Sequence, residues 1–247
     1  MTLTFVPLLL IQRRLYDLPR NMERFNKYIA TMRDGATGNL RYPLVAMNPM
    51  GKEHVPALLD DWIALGADEF AQRAVADAAT GLQSVPGEFK VGLVIADDLK
   101  GGWTNRHLYD FAQRYHTKGL HRRGWVTGLL WTSETPSAEA AREAAVAGVY
   151  RAAWIQQHGY ASTLRQLLAQ EGYAMANAGS PVAALDADDL AYTREAIAGH
   201  LDATDQHTIM ACLYGDQIAT SLGYPPLGFS RHAGFALALD QARSTKH

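Results

Sequence analysis

The sequence predicts an α/β fold: a small parallel or mixed sheet of at least three strands, covered by many helices, with a helical C-terminal half. Three observations carry that prediction. Apolar runs of strand length stand at residues 42–47, 89–96 and 125–132. Helical periodicity fills the chain between them, which favours crossover connections and parallel pairing. Beyond residue 160 only helical patterns remain. The chain is read as a single domain over 1–247, with an α/β portion at 1–159 and a helical layer or cap at 160–247.

The second strand decides the class. Val91, Leu93 and Ile95 alternate with Val94 and Ala96, so both faces are apolar and the strand belongs in the middle of a covered sheet. In the third, Trp125, Leu129 and Trp131 alternate with Val126 and Leu130 in the same way. Among the helices, Met22, Phe25, Ile29 and Met32 form one stripe after Pro19. Val55, Leu59 and Trp62 belong to another that stops at Gly66, and Phe70, Ala74 and Ala78 to a third. Thr104 is the expected cap of a helix through Leu108, Phe111 and Tyr115. Thr135 with Pro136 is expected to start a long alanine-rich helix to about His158. Helices are then expected over 162–178, 186–201, 205–222 and 230–242.

Charge and composition narrow the partners. Across 247 residues, 23 Lys and Arg face 25 Asp and Glu for a net charge of -2, which argues against a general nucleic-acid binder and leaves a small molecule as the expected partner. The single cysteine, Cys212, excludes an internal disulfide framework, so the expected compartment is the cytoplasm. The apolar run at 5–11 contains Pro7 and ends at Arg13 and Arg14. It suits neither a signal peptide nor a membrane span, and no membrane association is expected.

In a parallel sheet the carboxyl ends of the strands share one edge, and ligands bind in the loops leaving it. That rule gathers Asn48, Lys52 and His54 after the first strand, the stretch from Asp97 to His107 after the second, and Ser133 with Glu134 after the third. Asp97, His54 and His107 are the types that hold a divalent metal, with zinc, iron or manganese as the candidate cofactor. His54, Asp98 and His107 can instead move protons. Asn48, Lys52, Lys100, Asn105, Arg106 and Glu134 are the expected binders of an anionic carboxylate or phosphate, helped by close backbone approach at Gly51, Gly101 and Gly102. The plainer reading of the two aspartates is that they orient their own loop.

Two acids stand where apolar stripes call for a core residue: Glu171, among Leu164, Leu167, Leu168 and Met175, and Asp216, after Ile209, Cys212 and Leu213. A buried carboxyl group is a candidate general base, and Glu171 takes that role in the leading expectation; an ion pair between helices is the structural alternative. Gly172 beside it signals a close approach by another helix or a ligand. The activity expected is metal- or carboxylate-assisted hydrolysis or elimination on a small anionic substrate. The alternatives are an iron-dependent oxidoreductase and a non-catalytic ligand-binding or sensor domain.

Overall fold

A computed structural model of the chain describes residues 1–100, 103–181 and 185–244. It divides into two compact units, Met1–Ala152 and Ala153–His247. The first holds a three-stranded parallel sheet in the order β1 (Thr2–Phe5), β2 (Glu88–Ala96), β3 (Trp125–Trp131). Four helices separate the first two strands: α1 (Leu9–Leu15), α2 (Met22–Met32), α3 (His54–Leu65) and α4 (Ala67–Gly81). Then α5 (Arg106–Tyr115) and α6 (Lys118–His121) join β2 to β3, and α7 (Ala138–His158) follows.

The central strand is the one whose two faces are apolar: from Val91 to Ala96 every residue of β2 is buried. Its neighbour β1 pairs with it only from Thr2 to Phe5. Beyond that point a side chain completes the ladder. Gln12 of α1 is wholly buried; its Nε2 donates to Leu93 O (2.9 Å) and its Oε1 accepts from Ile95 N–H (2.9 Å). The amide presents the same donor and acceptor as a peptide group, so β2 keeps its hydrogen bonds where its partner has ended. On the other side α7 lies close against β3, because a Cβ at Gly128 would collide with the Ala144 carbonyl. Ala141, Ala145 and Ala152 are fully buried along the same helix, as their small size suggests.

The apolar run at 42–47 is not a strand. Leu44, Ala46 and Met47 are buried, yet their backbone is irregular. Pro43 removes a ladder donor, and tight backbone turns, with side-chain donors to Leu44 and to the two residues that follow the run, take the place of a ladder. The Tyr28 hydroxyl donates to Leu44 O (3.1 Å), the Tyr16 hydroxyl to Asn48 O (2.5 Å) and the Arg24 guanidinium to Pro49 O (3.5 Å). The missing strand is β1, four residues at the start of the chain that offer too little alternation to stand out. Two helix starts also shift by a residue or more. Asn105 rather than Thr104 caps α5, accepting from Leu108 N–H (3.1 Å), and α7 begins at Ala138, with Ser137 Oγ accepting from Ala140 N–H (3.1 Å).

The second unit is helical: α8 (Leu164–Ala178), α9 (Ala187–Ala198), α10 (Gln206–Tyr214), α11 (Asp216–Ser221) and α12 (Ala233–Ser244), together with the end of α7. α8 packs on α12, where Gly172 admits the Ala238 carbonyl at a spacing that a Cβ would block. The helix expected over 205–222 breaks at Gly215, whose φ of 88° suits glycine and whose place a Cβ would drive into Ser230. No helix among the described residues is long and apolar enough to cross a membrane.

Candidate functional site

At the carboxyl ends of β2 and β3 the parallel register sets Ala96 beside Trp131. The next residues on each chain, Asp97 with Asp98 and Thr132 with Ser133, therefore meet. Thr132 Oγ1 lies between the two acids, 3.1 Å from Asp97 Oδ1 and 3.0 Å from Asp98 Oδ1. From that shared hydroxyl the two carboxylates diverge.

Asp97 is buried and surrounded by donors. Asn48 Nδ2 donates to Oδ2 (2.7 Å), while Oδ1 meets Thr132, Leu99 N–H (3.4 Å) and His54 Nε2 (2.8 Å). An ionised carboxylate only accepts, so the imidazole nitrogen facing it is the donor, and the other ring nitrogen then carries a lone pair. That second nitrogen, His54 Nδ1, is buried and has no hydrogen-bond partner among the described residues. The His54 side chain is 12% exposed. It opens α3, and the preceding turn is shaped by Gly51, where a Cβ would press on Val55, and by Asn48 Oδ1 accepting from Met50 N–H (3.0 Å). Beneath this turn the Tyr16 phenol is pushed well above its usual range by burial and by the charge of Asp97, with Arg24 partly opposing, so it stays a donor.

Asp98 is tied into a closed network. Its Oδ2 accepts from Ser133 Oγ (2.6 Å) and Arg106 Nη1 (3.2 Å), and its Oδ1 from Ser133 N–H (3.0 Å). Burial opposes its ionisation, but the hydrogen bonds from Ser133 and Thr132 and the Arg106 charge outweigh it and hold the carboxyl below its ordinary range. Arg106 also pairs with Glu134 and lies over the Trp131 ring, 5.0 Å from its centroid. Its charge is compensated by two carboxylates, so Arg106, Asp98 and Glu134 join the loops after β2 and β3 to each other. This is the loop-orienting role; an anion-binding role for Arg106 or Glu134 would have to break it.

The chain matches no family model, no curated protein and no solved structure. The site's chemistry rests on these residues alone. The structure brings together Asn48, His54, Asp97, Asp98, Arg106 and Glu134 of the expected set. Asn105 is spent as the α5 cap; Lys52 and Lys100 are exposed, Lys100 in the left-handed region at φ 51°. Gly101 and Gly102 lie outside the described residues. His107 is half-buried in the first turn of α5. The metal set His54, Asp97 and His107 is not assembled: among the described residues no three His, Cys, Asp or Glu side chains are grouped to hold a metal ion. Around Asp97 the oxygens are instead engaged by an amide, a hydroxyl and an imidazole hydrogen bond.

Glu171 is fully buried in α8 of the second unit, with Gln170 Nε2 3.4 Å from its Oε1. Asp216 is not a core residue. With the helix broken at Gly215 it becomes a loop anchor, accepting from Leu227 and Gly228 N–H groups at 2.8 Å each. Cys212 is buried and its thiol is pushed up to about 12, first by burial and then by Asp205 and Asp216, so it behaves as a small apolar side chain. Thr132, the bridge between the two acids, is absent from the sequence expectation, and Ser133, gathered at the same edge, has no assigned role there although it clamps Asp98. Their signal was positional: hydroxyl residues directly following β3, opposite two acids directly following β2.

Proposed function

We propose that the first unit carries an acid–base active site for a small anionic molecule, acting by hydrolysis or elimination. His54 is the proton-moving group and Asp97 its orienting partner. The observation that carries this reading is the buried His54 Nδ1, without a partner among the described residues while Nε2 is fixed on Asp97. In hydrolysis Nδ1 takes a proton from water as the water oxygen bonds to the acyl or phosphoryl centre, and returns it to the departing oxygen as that bond breaks. Asp97 holds the ring in one tautomer and balances the charge of the imidazolium. Asn48 and Thr132 keep Asp97 in place, and the exposed Lys52 and Lys100 supply the positive charge that attracts an anion.

His54, one of the three residues expected to hold a metal or move protons, takes the role of base in place of Glu171. Turnover of p-nitrophenyl acetate and p-nitrophenyl phosphate by wild type, His54→Gln and Asp97→Asn tests it. His54→Gln is expected to lower kcat by about 10²- to 10⁴-fold and Asp97→Asn by a similar order, with ligand affinity retained. Equal turnover in all three, or binding without turnover in the wild type, contradicts the enzymatic reading and favours a binding domain.

A further inference from the structure

The loop after β2 is fastened to Asp97 at both ends: Leu99 N–H lies 3.4 Å from Asp97 Oδ1, and Thr104 N–H donates to the Asp97 carbonyl (3.2 Å). The carboxylate oxygen that meets Leu99 is the one that meets His54 Nε2. These bonds hold the backbones of Leu99 and Thr104, the latter directly after Trp103, on the aspartate that orients His54. Both side chains face solvent, Trp103 at 54% and Leu99 at 37% exposure. The chain has five tryptophans, and the other four, Trp62, Trp125, Trp131 and Trp154, are buried.

Small-molecule sites combine apolar and aromatic walls with a few fixed polar groups. An uncovered indole and a leucine, on the loop whose Leu99 and Thr104 N–H groups bond the aspartate that fixes His54 Nε2, bring those two ingredients to the residue whose Nδ1 is buried and unpartnered among the described residues. We infer that the ligand of this site carries an apolar group, aromatic in the best case, that seats on Trp103 and Leu99 while its polar end meets His54. The indole face supplies dispersion and ring-stacking contact at the cost of little side-chain entropy, since it has only two rotatable bonds. The polar half of this inference rests on the acid–base reading above; the apolar half does not.

Because Trp103 is the exposed one of the five, acrylamide quenching of the full chain's intrinsic fluorescence reports on it. Phenyl phosphate and phenylacetate are the probes, with inorganic phosphate and acetate as partners lacking the ring. The aryl anions are expected to cut the quenching constant by about twofold or more, as a pocket covering most of a small ligand would, and the parent anions to leave it unchanged. In calorimetric titration Trp103→Ala and Leu99→Ser are each expected to weaken the aryl anions by about tenfold, near 1.4 kcal/mol. Both residues are exposed, so both variants are expected to fold. Unchanged quenching with both aryl anions, or affinities indifferent to both substitutions, overturns the inference. Shielding of Trp103 that survives His54→Gln at full affinity keeps the apolar seat and removes the polar contact. His54-dependent turnover without shielding removes the seat and leaves the acid–base reading standing.

Discussion

Asp97 and Asp98 are consecutive, follow the same buried strand, and touch the same threonine hydroxyl, yet they sit in different chemical settings. Asp98 meets Ser133 and Arg106, and Arg106 is in turn neutralised by Glu134. Every member of that network is answered by another protein group, so its result is a fastened pair of loops. Asp97 meets Asn48, Thr132 and His54, and the last of these has a second nitrogen that no group among the described residues answers. The difference teaches that an acid's place in the sequence says little about its role. What decides the role is whether its partners have hydrogen-bonding capacity left over.

The largest effect is expected at Asp97. Replacing it with Ala strands the Asn48 amide and the His54 ring in a buried place, while Thr132 keeps Asp98 as a partner, and urea denaturation is expected to show a loss of about 3–5 kcal/mol. A loss comparable to that of an exposed ion pair, below about 1 kcal/mol, would erase the contrast with Asp98.

A third carboxyl group sharpens the comparison from the opposite side. Asp68 near the start of α4 is mostly withdrawn from water and has only a long contact from Leu9 N–H (3.4 Å), with Oδ1 unpartnered among the described residues. Burial is the chief cause that pushes it up to about 7, with Glu69 adding to it and Leu9 opposing. The folded state therefore keeps a proton that the unfolded chain has released, and this group's contribution to stability falls as pH rises from about 4 to about 7. Asp68→Asn is expected to be more stable than wild type at pH 8 by about 1–3 kcal/mol, with the gap closing by pH 4. Thermal melts across that range check the sign; a gap that widens towards acid contradicts it.

The smallest effect belongs to Asp98, whose shift has the other sign. Its carboxyl is held below the ordinary range, so its stabilising contribution is present above the unfolded value and is lost as pH falls through the folded one. Asp98→Asn is expected to flatten the acid limb of the melting-temperature profile below about pH 4 and to leave it unchanged near neutrality apart from a constant offset. An altered neutral limb with an unaltered acid limb would contradict the closed network.

The sequence made the class of fold and the convergent edge legible for separable reasons. Uninterrupted burial in β2 follows from alternation on both faces, and the edge follows from parallel pairing. The segment around Leu44 looked like a strand because burial, not extension, shapes an apolar run; Pro43 and the donors Tyr16, Tyr28 and Arg24 make it irregular while still delivering Asn48 to the site. β1 was hidden by its length. Asp216 was misplaced because a continuous helical stripe was read through Gly215, where the close passage of Ser230 and a positive φ stop the helix. Glu171 was correctly read as buried, and Gly172 as a close approach, since both follow from one helix stripe. The His54–Asp97 contact was beyond reach because it depends on the turn geometry of an irregular segment, and hydrogen-bond direction is not written in spacing.

The central claim is that Asp97 fixes the His54 ring with Nδ1 bare. Long-range proton–nitrogen correlation spectra of the histidine side chains, with the His54 signals assigned by their loss in His54→Gln, read this directly. The account predicts that the neutral ring carries its hydrogen on Nε2 and that Nδ1 is unprotonated. A neutral His54 with its hydrogen on Nδ1 and a bare Nε2 would reverse the donor and acceptor of the Asp97 contact and contradict it.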